Sequence, residues 1–357
     1  MGVDKNLKNE CLAIGSLPNT DVESAIDIVK KYYSNVPFWP QLPKISRHED
    51  MTFQYLENMP GIVFDEELGK VYLDMEKETF SDELEELFVT YEEVLADINS
   101  GSIDKYGLTE QYSKSFNPFL QFVEDTKPKF AKGQITGPFT LSTSLTDKEN
   151  KCAYYDETLR EVIAKTLTLK ALWQIKEIKR VSPETTPIIF IDEPTLSQLG
   201  TSAYVTIPPK EIVEMIKEIS DLIKSNGALS AIHCCGKCDW SVPIEVGMNI
   251  LNFDAFSFAE NMSLYADELK PFLEEGGFLA WGIVPTLDKE ALSNTSLEEI
   301  KQKFKEAKDL LIHKGLDKAL LEEHSMISPS CGCGSLSVEL AQKAIKLTKE
   351  LSESLKG

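Results

Sequence analysis

Arginine is almost missing from this 357-residue chain: only Arg47, Arg160 and Arg180 occur. The guanidinium is the usual side chain for bidentate recognition of carboxylate and phosphate, so few such sites are available. Positive charge as a whole is scarce. Lys+Arg is 37 against Asp+Glu 58, a formal net charge of -21. A surface that negative repels phosphate backbones and anionic lipid heads, which argues against nucleic-acid and membrane-surface roles. No apolar run approaches the 18 or more residues of a membrane span. The N-terminal stretch MGVDKNLKNECLAIGS lacks the apolar core and small-residue cleavage site of a signal peptide. No GxGxxG or Walker sequence is present. The seven cysteines are an odd number, which argues against a disulfide framework. Together these absences point to a cytoplasmic protein in a reducing compartment.

What is present is a repeated alternation. Eight short β-rich apolar segments occur: CLAIGS (11–16), GIVF (61–64), QITGPFT (134–140), PIIFID (187–192), LSAIHC (229–234), ILNFDAF (250–256), FLAWGIV (278–284) and SMISPS (325–330). Near-continuous Ile/Val/Leu/Phe runs bounded by Gly and Pro mark strands buried on both faces. Amphipathic helical stretches lie between them, at 21–33, 156–180, 208–227, 297–315 and 335–355. The stretch at 208–227 has Pro at its start and Gly at its end, the expected asymmetry. Eight strands alternating with helices predict an α/β fold, a single (β/α)8 TIM barrel filling residues 1–357 as one domain. It has an extended N-terminal region. A long, acidic, partly helical insertion at 65–132, after the second strand, reads as a lid. An open doubly wound sheet, the alternative, would usually show fewer strands and a Gly-rich phosphate loop.

In such a barrel, chemistry collects where strands end. The polar residues at those ends are Ser16, Thr140, Asp192, Glu193, His233, Asp254, Cys331 and Cys333, with five of the seven cysteines in IHCCGKC (232–238) and SCGC (330–333). In an extended segment alternate side chains share a face, so His233 and Cys235 can point to one centre while Cys234 points away. Cys331 or Cys333 would join from the eighth strand and Asp254 from the sixth. Imidazole, two thiolates and a carboxylate match the ligand set of zinc. A structural CxxC knuckle is disfavoured, since the second cluster is CxC and His233 would be left unexplained. Cys11 and Cys152 read as small core residues, and His48, His313 and His324 receive no role.

Charge decides the chemistry. Zinc with two thiolates and one carboxylate is a poor source of hydroxide. It is well suited to holding a substrate thiol as thiolate, whose free pKa of about 8.5 is removed by coordination. S-alkylation is the reaction implied.

These motifs resemble a family. AIGSLPNTD (13–21), IDEP (191–194), H-x-C (233–235) and P-x-C-G (329–332) are similar to the catalytic barrel of cobalamin-independent methionine synthases. GSLPNTDVESA, PFWPQLPK and GPFTL resemble single-barrel members of the uroporphyrinogen decarboxylase superfamily, among them zinc-dependent methylcobamide:thiol methyltransferases and short "core" methionine synthases. The resemblance spans nearly the whole chain, and the H-x-C…C-G pairing is its most specific part. It implies His233, Cys235 and Cys331 as zinc ligands, with Asp254 where the family usually places a Glu ligand. It implies that Asp192 holds the amino group of a homocysteine-like substrate and that Ser16 contacts the substrate carboxylate. A further family Glu is expected near MTFQYL (51–56), where Gln54 or Phe53 stands instead. Glu193, beside Asp192, is a second candidate for a catalytic role.

The resemblance implies an enzyme, a zinc-dependent methyltransferase in methionine biosynthesis and one-carbon metabolism. It would move a methyl group from a methylated corrinoid (methylcobalamin or a corrinoid protein) to a small-molecule thiol, homocysteine-like or coenzyme M-like, through a zinc-bound thiolate. The Asp192-Glu193 pair suits an amine-bearing thiol, and the negative charge does not favour a polyglutamylated folate tail. Two alternatives carry different expectations. A uroporphyrinogen decarboxylase-like lyase needs cationic anchors for eight carboxylates, which three arginines do not supply. A non-catalytic corrinoid-protein partner with a structural zinc would have a closed metal site.

Overall fold

The computed structural model describes residues 5–65, 67 and 69–356. Its strands are β1 (Ile62–Asp65), β2 (Lys70–Leu73), β3 (Phe130–Thr136), β4 (Thr186–Asp192), β5 (Leu229–Cys234), β6 (Ile250–Phe253), β7 (Phe278–Val284) and β8 (Ser325–Pro329). Strands β3 to β8 form one six-stranded parallel sheet in sequence order, and helices follow each strand. All seven residues of β3 and of β7 are buried. Such burial on both faces is why these segments read as unbroken apolar runs rather than alternating ones. Among the described residues no helix is long and apolar enough to cross a membrane.

The sheet is not the closed ring of eight regular strands that the sequence predicts. Residues 61–64 do not enter it. Ile62–Asp65 instead pairs antiparallel with Lys70–Leu73 as a separate hairpin, with Phe64 39% exposed. Two irregular segments stand between β8 and β3. Cys11 bridges Ile327 of β8, Ser16 bridges Gln41, and Phe38 bridges Lys132 of β3. Backbone bonds secure them, from Leu12 N–H to Ile327 (2.8 Å), Gln41 N–H to Gly15 (3.1 Å) and Trp39 N–H to Lys132 (3.0 Å). The segment 37–43 carries three prolines, Pro37, Pro40 and Pro43, each without an N–H. A regular ladder cannot form through them, so only single bridges remain.

The third strand also lies earlier than expected. It runs over Phe130–Thr136, and the GPFT of 137–140 opens a helix, Pro138–Ser144, with proline in its first turn. Within residues 65–132 the chain forms the hairpin return, the helix Phe80–Ala96 and the helix Phe116–Thr126. The latter helix packs Phe116 flat on Trp173 (centroids 4.7 Å apart).

One close approach fixes the top of the sheet. Gly137 lies where a Cβ would meet the Glu193 carboxyl carbon at 2.0 Å. The Glu193 carboxylate needs that space to reach the helix behind it. Gly137→Ala is therefore expected to lower stability by about 1–3 kcal/mol through overpacking, read as a fall in the urea midpoint at unchanged slope.

Candidate metal centre

Register brings the candidate residues to one level. Asp192 of β4 pairs with His233 of β5, and His233 pairs with Asn252 of β6. The three are neighbours across the sheet at its C-terminal edge. Cys235 follows two residues after His233, just past the end of β5, and Cys331 follows β8. One ligand atom each of His233, Cys235 and Cys331 lies within 4.8 Å of the others. Of the two SCGC cysteines, then, Cys331 joins the group. Cys333 is buried beneath, and burial pushes its thiol up to about 12.

The His233 ring is oriented by an explicit network. Asn252 Nδ2 donates to the Ala280 carbonyl (2.8 Å) and to Ser328 Oγ (2.7 Å). Its Oδ1 is thereby fixed as the acceptor that meets His233 Nδ1 at 2.5 Å. Nδ1 must carry a proton, which leaves Nε2 as the ring's free position. Nε2 is buried and has no hydrogen-bond partner among the described residues. A histidine held in this way, with one nitrogen donating and the other bare, is the usual arrangement of a metal ligand. Cys331 is held as firmly: its N–H donates to Thr286 Oγ1 (2.9 Å) and its carbonyl accepts from the same hydroxyl (2.9 Å). Gly332 is required beside it, because a Cβ there would meet Ser16 Oγ at 2.2 Å.

The protonation pattern follows from crowding. The neighbouring Cys331 thiol and the imidazole hold Cys235 down to about 4, despite burial. Cys331 is pushed well above the ordinary thiol range, first by Cys235 and then by burial. Burial opposes the His233 imidazolium, but the Cys235 sulfur and the Asp192 carboxylate outweigh it and raise His233 to about 9.

The group opens into a cavity of 390 Å³ lined by Ser16, Gln41, Lys44, Asp50, Asp192 and Leu287, among others. Asp192 is buried, and its Oδ1 has no hydrogen-bond partner among the described residues. Burial raises its pKa, against the pull of the buried Lys132 cation and His233. Lys132 itself donates to the Ile14 carbonyl (2.5 Å) and Gln134 Oε1 (3.0 Å). Ser16 lines the cavity, and its Oγ accepts from Gly334 N–H (3.2 Å).

Three residues named from sequence are engaged in other contacts. The Glu193 carboxylate accepts from Phe139 N–H (2.9 Å), Thr140 N–H (2.8 Å) and Thr140 Oγ1 (2.6 Å). It clamps the helix after β3 and is not among the residues that line the cavity, where a catalytic role was expected of it. Asp254 caps the helix Ala255–Ser263 by accepting from Ser257 N–H (2.9 Å) and is not in the three-donor group. Gln54 is buried behind the wall, donating to the Tyr112 carbonyl (2.6 Å) and accepting from Gln41 (2.7 Å). Its partner Gln41 and the acid Asp50 face the cavity instead. Sequence reasoning missed Asp50, Thr286 and Asn252. Only Asn252 carried a signal, as a lone amide inside the apolar run ILNF.

No family model matches the chain. A methionine synthase from Methanocaldococcus jannaschii is similar to it, 27% identical over 228 residues, which cover 63% of this chain and 65% of that protein. The matched region thus spans less than two thirds of the relative's length.

Asn252→Ala frees the ring to rotate and change tautomer. It is expected to weaken divalent-metal binding by roughly 10–100-fold, measured by competition with a chromophoric chelator. Loading the three donors at pH 7 is expected to release about two protons, from Cys331 and His233, because ligands bind deprotonated. Apparent affinity then falls as pH falls, and calorimetry in buffers of different ionisation enthalpy counts the protons.

Proposed function

We propose that this chain is a zinc-dependent methyltransferase acting on the sulfur of an amine-bearing thiol such as homocysteine. The distant likeness to a methionine synthase supports methyl transfer. The observation that carries the finer reading is the bare, buried Nε2 of His233 facing two cysteine sulfurs beside an open cavity. Three protein donors with an open fourth position fit a catalytic zinc rather than a structural one. His233, Cys235 and Cys331 would hold the ion, and the ion would supply acidity, keeping the acceptor thiol ionised at neutral pH. With Asp254 turned to Ser257, the fourth position is left to substrate.

The remaining residues bind and orient. Asp192 offers an unpaired carboxylate oxygen to the substrate ammonium, and Asp50 adds a second acid to the same cavity. Ser16, Gly332 and Gly334 line the same cavity, where they would meet a substrate carboxylate. The acids favour an aminothiol over a sulfonated thiol. In the reaction the donor–methyl bond breaks, a sulfur–carbon bond forms, and the thiol proton leaves to water. A cavity of 390 Å³ encloses a small thiol but not a corrinoid. A methylated corrinoid, free or carried by a protein, would present its methyl group from outside. The decarboxylase alternative finds one lysine and no arginine in the cavity lining.

The test is zinc content together with methylation of homocysteine from methylcobalamin. Cys331→Ala is expected to lose both. Asp192→Asn is expected to keep zinc and raise the homocysteine KM by about tenfold or more, the cost of a charge-assisted bond, while a thiol lacking the amine is unaffected. Full zinc and unchanged turnover in Cys331→Ala, or zinc-loaded wild type inert towards every thiol tried, would sink the reading.

A further inference from the structure

Beside the metal cavity lies a second one. Its volume is 580 Å³, and it shares Pro43 and Asp50 with the first as lining residues. Arg47, Thr52, Phe53 and Ser144 line it as well. Arg47 is one of three arginines in a chain with 58 acidic residues. The other two are engaged by acids: Arg180 bonds Glu177 at 2.7 Å, and Arg160 lies 3.9 Å from Glu211 while donating to the Tyr154 carbonyl. Arg47 meets no carboxylate within 4.0 Å among the described residues. Its guanidinium lies over the Phe53 ring, 4.0 Å from the centroid. Phe53 is backed by Phe64 at 5.6 Å and by His48 at 6.2 Å.

Stacking on an aromatic face holds a guanidinium in one plane and leaves its N–H edge free. A planar fork so fixed matches two oxygens of a carboxylate or phosphate. In a molecule of this charge an arginine has many acids to choose from, yet this one pairs with none among the described residues and lines a cavity instead, where the Thr52 and Ser144 hydroxyls already donate to Asp50 and to the Thr140 carbonyl.

We propose that Arg47, stacked on Phe53, is an anion subsite that takes a carboxylate or phosphate of the methyl donor, outside the metal cavity and separated from it by Pro43 and Asp50. The subsite rests on the methyl-transfer reading for the identity of its ligand. The two cavities then divide the work: the acceptor thiol enters the acidic one, and the anionic end of the donor is held in the other. Two donor classes carry the needed oxygens, a corrinoid through its nucleotide phosphate and a reduced folate through its glutamate carboxylates.

The test is equilibrium dialysis of zinc-loaded protein against three inert probes: cyanocobalamin, dicyanocobinamide (the same corrin without phosphate and nucleotide) and tetrahydrofolate. Wild type, Arg47→Ala and Arg47→Lys are compared. Arg47→Ala is expected to weaken one anionic probe by about tenfold or more, with Arg47→Lys in between and dicyanocobinamide unchanged. Which probe responds, cyanocobalamin or tetrahydrofolate, identifies phosphate or carboxylate as the group held. The subsite is overturned if wild type binds neither anionic probe, if Arg47→Ala binds them as wild type does, or if the loss extends equally to dicyanocobinamide. Turnover of the wild type is scored separately. Arg47-dependent anion binding without methyl transfer would retain the subsite and remove the proposed reaction. Normal turnover with no effect of Arg47 would do the reverse.

Discussion

The hydrogen bond between His233 and Asn252 sets the rest of the centre. A buried imidazole facing two sulfurs could turn or exchange its proton between nitrogens. Asn252 prevents this because its own amide is already committed to Ala280 and Ser328. The orientation of one side chain on β6 is therefore dictated by β7 and β8, and it dictates in turn which nitrogen of β5 is free. Four adjacent strands combine to present a single ring nitrogen, Nε2.

The same logic governs the acids. Burying a carboxylate costs several kcal/mol unless it is paired or hydrogen-bonded. Asp192 and Glu193 are consecutive and both buried, yet they meet opposite fates. Glu193 is saturated by three donors from the helix after β3, so it is part of the scaffold. Asp192 keeps one oxygen without a partner and is balanced at a distance by the Lys132 cation and by His233. An incompletely satisfied acid on a rigid strand is a site prepared for a ligand that brings its own donor.

Most of the parallel sheet was legible in the chain, because strands buried on both faces leave unbroken apolar runs and PIIFID, LSAIHC and FLAWGIV carry no competing signal. The first two strand positions were less legible: CLAIGS does stand beside β8, but through isolated bridges and not a regular strand, and GIVF does not enter the sheet. GIVF is as apolar as a core strand over four residues, and nothing local tells a hairpin from a sheet member. The segment that does stand beside β3 is hidden by its prolines. The His/Cys/Cys group was legible because alternation puts His233 and Cys235 on one face and a second cysteine cluster ends the last strand. Asp254 and Glu193 both make helix contacts that their place at a strand end does not announce. A carboxylate at a strand end can serve the cavity or cap the helix that follows, and only the positions of nearby N–H groups decide between them. Asp50 was missed because it comes from the irregular region before the hairpin, which no strand-end rule reaches.

The donors do not become available together. His233 and Cys235 leave the ribosome on one strand end, whereas Cys331 belongs to the last strand of the sheet. About a hundred residues separate them, some 5–20 s of synthesis at roughly 5–20 residues per second. During that interval the growing chain carries only His233 and Cys235 of the three, and the Asn252 amide that orients the imidazole is not fully committed until Ser328, just before Cys331, has been made. On the proposed zinc reading, three-donor capture would wait for the final strand, and loading would come among the last events in maturation.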